Sequence, residues 1–112
     1  MIIKGNAFFI AAENQWQPAG DGIKRQITGY NNGLMMVKVA FEKGAIGTLH
    51  HHVHTQASYV ASGVFEAEVN GVKQVLAAGD TFFVEPDLVH GVVCLEAGLL
   101  IDVFNPHRED FL

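Results

Sequence analysis

The 112-residue chain has the length of one ordinary domain, enough for one continuous core and not for two. Its formal charge is -5 and its seven Lys and Arg residues are scattered, so no basic stripe exists to displace counterions from a nucleic acid. No apolar run approaches the ~20 residues that span a bilayer. Charged residues stand at 17% against 49% hydrophobic, a balance that points to apolar surface hidden by self-association, most simply in a symmetric dimer.

In chain order, the first notable stretch is AFFIAA, residues 7–12. It is too short for a signal-peptide core and no clear cleavage site follows it. We read it as an apolar edge strand that a second copy would cover. Turn signals then recur at Gly20-Asp21-Gly22, Asn31-Asn32-Gly33, Gly44 to Gly47, Asn70-Gly71, Gly79-Asp80, Pro86-Asp87 and Glu96-Ala97-Gly98. Between them lie short runs of Val, Ile, Phe and Leu, and no segment carries a long capped helical period. This spacing predicts an all-β sandwich or barrel of about ten strands, spanning residues 1–112 as one domain.

Two segments are sharp. In LMMVKVAFE, Met35, Val37, Val39 and Phe41 share the face assigned to the core, opposite Lys38 and Glu42. Met36 and Phe82 are also expected in the core. In VFEAEVNGVKQVL, Glu66 and Glu68 alternate with apolar neighbours, and Asn70-Gly71 supplies the positive φ angles of a tight hairpin. The tail PHREDFL, residues 106–112, is placed to fold back over a barrel end. The single cysteine, Cys94, allows no internal disulfide and fits a reducing cytoplasm, the expected location.

The stretch GAIGTLHHHVHTQASYVASG, residues 44–63, holds four of the six histidines. Strand alternation would put His50, His52 and His54 on one side and His51 on the other. Such a face is either a solvated polar one or a chelating one, since imidazoles two apart on a strand project in parallel. The isolated His90 follows a Pro-Asp turn and by itself reads as a surface histidine.

Together the two segments resemble the cupin family. The first cupin motif is matched by Gly44, five residues, His50-His51-His52, three residues, Gln56, six residues and Gly63. Only its glutamate is replaced, by Gln56. The second is matched by Gly79, five residues, Glu85-Pro86-Asp87, two residues and His90, with Cys94 in the last place. There the proline and glycine of the turn depart from the pattern. The resemblance implies a single-domain jelly-roll β-barrel and one divalent ion held by His50, His52, Gln56 and His90, with zinc, nickel, manganese and iron all open. A neutral amide in place of a carboxylate leaves more of the ion's charge uncompensated, which favours Lewis-acid over redox chemistry. His51 and His54 are left to outward or supporting positions.

The resemblance extends further. LLIDVFNPHREDFL, residues 99–112, and GIKRQITGYNNGLMMVKVAFEKGAIG, residues 22–47, are similar to the small pectin-degradation cupins of the KdgF type. That family opens 4,5-unsaturated uronate monosaccharides from pectin or alginate to linear 4-deoxy-5-keto-uronates. For this chain the resemblance implies a small anionic sugar as substrate. It implies Asp102 as the group that moves protons, Phe104 packed on the sugar, and Arg108 forked onto the carboxylate. The plain alternatives are an Asp102 that caps a turn and an Arg108 paired with Glu109 or Asp110. Arg25 is a further candidate for the pocket rim. Rival functions are a metal-dependent dioxygenase or epimerase, which oxygen uptake would expose, and a non-catalytic sugar-binding cupin, which would leave the sugar unchanged.

Overall fold

Apolar residues alternating with small and polar ones build eight strands in the computed structural model, which describes residues 2–112. They are β1 (Gln17–Gly20), β2 (Ile23–Tyr30), β3 (Met35–Phe41), β4 (Ile46–His50), β5 (Thr55–Val69), β6 (Val72–Ala77), β7 (Thr81–Val84) and β8 (His90–Asn105). Short 3-10 turns, Ala11–Glu13 and Glu109–Phe111, flank them. Among the described residues no helix is long and apolar enough to cross a membrane. The strands number eight rather than about ten because β5 and β8 run for 15 and 16 residues and each serves two layers.

All pairings are antiparallel. The first half of β5 pairs with β7 and with the second half of β8, which continues through β3 and β2 to β1. The second half of β5 pairs with β6, and the first half of β8 with β4. The ladder does not close on itself. It folds into the two facing layers of a jelly roll, with β1, β7, β4 and β6 at the edges.

The bend lies where β5 crosses β8. Register shifts interrupt their pairing between Val60 and Phe65. Gly63 sits there at φ +81°, and a Cβ on it would lie 2.6 Å from the Glu96 carbonyl oxygen and 2.6 Å from the Gly98 Cα. Only glycine fits such a left-handed, backbone-on-backbone crossing.

Both layers contribute to the larger core cluster, which joins Phe41, Val60 and Leu100 to Phe65, Ala67, Leu76, Val92 and Cys94. The Phe41 and Phe65 rings meet edge to face at 5.2 Å. A smaller cluster of Ile27, Met35, Val37 and Phe104 lies under the C-terminal turn, whose Phe111 packs on it. The β3 alternation places Met35, Val37 and Phe41 inward, as the sequence indicates, but Met36 is 44% exposed. Neighbours on one strand face opposite sides, so Met36 does not belong to the core. Phe82 packs against it, partly buried. Asn70 and Gly71 take φ 50° and 81°, closing the β5–β6 hairpin.

Residues 7–12 form no strand. They run irregularly into the first 3-10 turn, where the Asn14 amide donates to the Ile10 carbonyl at 2.8 Å. The edge of that layer is β1 instead, and Phe8 and Ile10 remain exposed.

Candidate metal centre and cavity

Four chain segments converge at one mouth of the sandwich. His50 ends β4 and lies in register with His90, the first residue of β8. Gln56 is the second residue of β5. His52 sits in the loop between β4 and β5, so the strand alternation expected over His50, His52 and His54 ends at His50. The two motif loops are tied together by the Asp87 amide, which donates to the His52 carbonyl at 2.8 Å. Asp87 replaces the turn glycine of the second motif and adopts φ 65°, a left-handed conformation that aspartate tolerates.

One nitrogen each from His50, His52 and His90 lies within 4.8 Å of the others. The opposite ring nitrogens are occupied: Nδ1 of His50 meets the Thr48 carbonyl at 2.8 Å, that of His52 the His54 carbonyl at 3.1 Å, and that of His90 the Leu88 carbonyl at 2.9 Å. A carbonyl oxygen only accepts, so each Nδ1 carries the proton and each Nε2 presents a lone pair. Gln56 Oε1 lies 2.9 Å from His52 Nε2 and 3.1 Å from His90 Nε2. The amide orientation follows from Gln56 Nε2, which donates to Ser58 Oγ at 2.9 Å.

Three acceptors thus face one another with no hydrogen among them. Protonating both rings would satisfy the contacts, but burial opposes it. Desolvation brings His90 down to about 4, against the opposing Leu88 hydrogen bond, and lowers His52. A divalent cation among the lone pairs resolves the conflict, so the donor set fits a metal ion. His51 is exposed. His54 turns away to the His107 carbonyl, 3.2 Å from its Nε2.

Behind Gln56 runs a polar relay. Ser58 Oγ accepts from Gln56 and donates to Asp102 Oδ1 at 2.6 Å, across directly paired positions of β5 and β8. Loss of hydration in the cavity raises the Asp102 carboxyl to about 6, partly offset by the Ser58 hydrogen bond and the Arg108 charge. His50, Gln56, His90, Asp102 and Arg108 line a cavity of about 470 Å³, within the range of small-ligand sites. Two other hollows, of about 470 and 510 Å³, flank Trp16 on the outside of β1 and β2 and hold none of these ligands.

The remaining candidates are placed differently from one another. Phe104 lines the cavity but is only 2% exposed, pressed beneath Phe111 and edge-on to His52. Arg108 lines the mouth with its fork on Asp110, Nε to Oδ1 at 2.9 Å and Nη2 to Oδ2 at 2.7 Å, which depresses the Asp110 carboxyl. Arg25 also lines the cavity, with its Cζ over the Phe111 ring. Ser58 and Phe111 escape the sequence reading. The signal for Ser58 is its position two residues after Gln56, on the same strand face. Phe111 carries no local signal.

Comparison with known proteins agrees with this geometry. The cupin domain family model matches residues 37–104. The chain is 50% identical over 107 residues to Pectin degradation protein KdgF of Dickeya dadantii (strain 3937), covering 94% of this chain and 97% of that protein. The structure of KdgF from a Halomonas species superposes with a TM-score of 0.92 at 44% identity, covering 96% of this chain and 99% of the other. An RmlC-like cupin from Shewanella frigidimarina NCIMB 400 gives 0.95 at 48% identity over 97% and 98% of the two chains. With both histidine motifs, the jelly roll and the lone-pair cluster in place, the chain belongs to the cupin family, among its members of the KdgF kind.

Proposed function

We propose that this chain is a metal-dependent enzyme of pectin breakdown. It opens 4,5-unsaturated uronate monosaccharides to linear 4-deoxy-5-keto-uronates. The observation that carries the reading is a carboxylic acid raised toward neutrality, Asp102, in one cavity with an unprotonated ligand set. Half-identity with a pectin degradation protein over nearly the full length supports the substrate class.

His50, His52, Gln56 and His90 hold one divalent ion: zinc, nickel, manganese or iron. Bound there, the ion supplies Lewis acidity toward a substrate oxygen. The Nδ1–H bonds to Thr48, His54 and Leu88 fix the ring planes, and Ser58 holds the amide oxygen of Gln56 toward the ion. Ring opening requires loss of the anomeric hydroxyl proton, cleavage of the bond between the anomeric carbon and the ring oxygen, and protonation of the alkene carbon. Asp102 accepts the first proton and returns one to carbon, a task suited to a group titrating near neutral pH. Phe104 forms the apolar floor beside it, and Arg108 adds positive charge at the mouth toward the anionic sugar.

Residues 1–112 act as one domain in this reading. The free, buried thiol of Cys94 suits a reducing cytoplasm. The exposed Ile3, Phe8, Ile10 and Met36 favour a homodimer, and light scattering at the monomer mass at micromolar concentration would count against that.

The test is direct. Metal-loaded protein is mixed with freshly generated unsaturated galacturonate, and the ultraviolet absorbance of its conjugated enol ether is followed. Loss faster than the protein-free control is expected. Equal rates would refute the reading, and oxygen consumption would redirect it to a dioxygenase.

A further inference from the structure

Arg25 projects from β2, in the layer facing the one that carries His50 and His90, and its side chain is one of the cavity walls. No hydrogen bond or ion pair holds it among the described residues, and its Nε is enclosed without a partner. Its Cζ lies over the Phe111 ring, 3.8 Å from the ring centre. Arg108 stands over the same ring at 4.3 Å. Among the described residues Asp110 is the carboxylate that acts on both cations, and both of its oxygens are hydrogen-bonded to Arg108; Asp102 acts on Arg108 as well.

The charge count is therefore uneven. Two guanidiniums share one ring: Arg108 is paired with Asp110, while Arg25 is partly desolvated beside that like charge and attracted by Asp110 without an ion pair. Such a cation is costly unless an anion arrives. A guanidinium held over a ring has already lost part of its rotamer freedom, so a bidentate contact to a ligand carboxylate costs less further ordering.

We propose that Arg25 makes the forked contact to the substrate carboxylate, while the Arg108–Asp110 pair holds the C-terminal turn that presents Phe111 to it. The proposal rests on the uronate reading above for its substrate. Its physical core is recognition of a carboxylate in this cavity, which is separable from catalysis. Asp102 faces the same space and repels an anion when ionised, so the carboxylate belongs on the Arg25 side, away from Asp102.

Arg25→Met keeps an unbranched stem against Phe111 and removes the charge; Arg25→Lys keeps the charge and removes the fork. Binding of galacturonate and of its uncharged methyl ester is measured calorimetrically on the metal-loaded wild type and both variants. Ring-opening kinetics on unsaturated galacturonate run in parallel. The wild type should prefer the acid over the ester by about 10- to 100-fold, the range of a charge-assisted bidentate pair. Arg25→Met should bring that ratio close to one and raise KM by a similar factor with a smaller change in kcat. Arg25→Lys should fall between. A fold defect would weaken acid and ester alike and leave the ratio unmoved. An unchanged acid-to-ester ratio in Arg25→Met, or a wild type with no preference for the acid, overturns the proposal. Absence of ring opening by the wild type sinks the uronate reading alone, because the binding ratio still decides the role of Arg25.

Discussion

Ser58 is 2% exposed and joins Gln56, the proposed fourth metal ligand, to Asp102, the proposed acid. Replacing it by alanine removes both hydrogen bonds and leaves the Gln56 amide N–H buried without a partner. The hydroxyl stabilises the ionised form of Asp102, so its loss raises the carboxyl above its present value of about 6. A hydrogen bond to a charged group contributes about 1.5–3 kcal/mol, or about one to two pKa units. If Asp102 must be ionised to accept a proton, the acid limb of kcat/KM moves to higher pH by that amount. Activity at pH 7 should fall several-fold and recover toward pH 9. The unpaired amide should also cost about 1–3 kcal/mol of stability, lowering Tm by about 4 °C for each kcal/mol in a domain of this size. The assay is a pH–rate profile of enol-ether loss with metal content measured at each pH, beside a calorimetric melt. A smaller active fraction would lower the whole curve without moving its limb. An unshifted limb would refute the assignment of that titration to Asp102.

Asp102→Asn should reduce kcat by about 100-fold or more with metal still bound, as checked by steady-state kinetics and metal analysis. The same change should stabilise the metal-free fold at pH 7. The folded carboxyl is raised from 3.8 to about 6, so its ionisation costs stability as pH rises through that window, by up to about 3 kcal/mol. Removing the charge relieves that cost at pH 7, and the gain should vanish below pH 4 in melts across the range. Gly63→Ala should destabilise by at least about 2–3 kcal/mol, because its Cβ meets backbone at 2.6 Å in a left-handed conformation; denaturant melts measure the loss. Chelation should abolish ring opening and lower Tm, with both restored by the native ion. Metal at a hundredfold excess over its Kd contributes about 2.7 kcal/mol, and an unchanged melt would place the ion elsewhere.

Local sequence carried much of this protein. Period-two alternation placed Met35, Val37 and Phe41 inside, and Asn70-Gly71 formed the hairpin it encodes. The spacing from Gly44 to His90 marked residues that the fold gathers around one point. These features are legible because strand pleat, turn conformation and ligand spacing are short-range constraints. The apolar stretch at residues 7–12 misled for the same reason: apolar composition shows what can be buried, and not whether a neighbour exists to pair with. The long-range arrangement belonged to the tertiary structure. Ser58 meets Asp102 across 44 positions only because β5 and β8 pair in that register. Arg108 turns to Asp110, and Arg25 reaches the cavity from β2, outside both sequence motifs. Antiparallel register and the folding of a ladder over a glycine crossing are set by the sum of all pairings at once. No local period records which charge will find a partner and which is left open to a ligand.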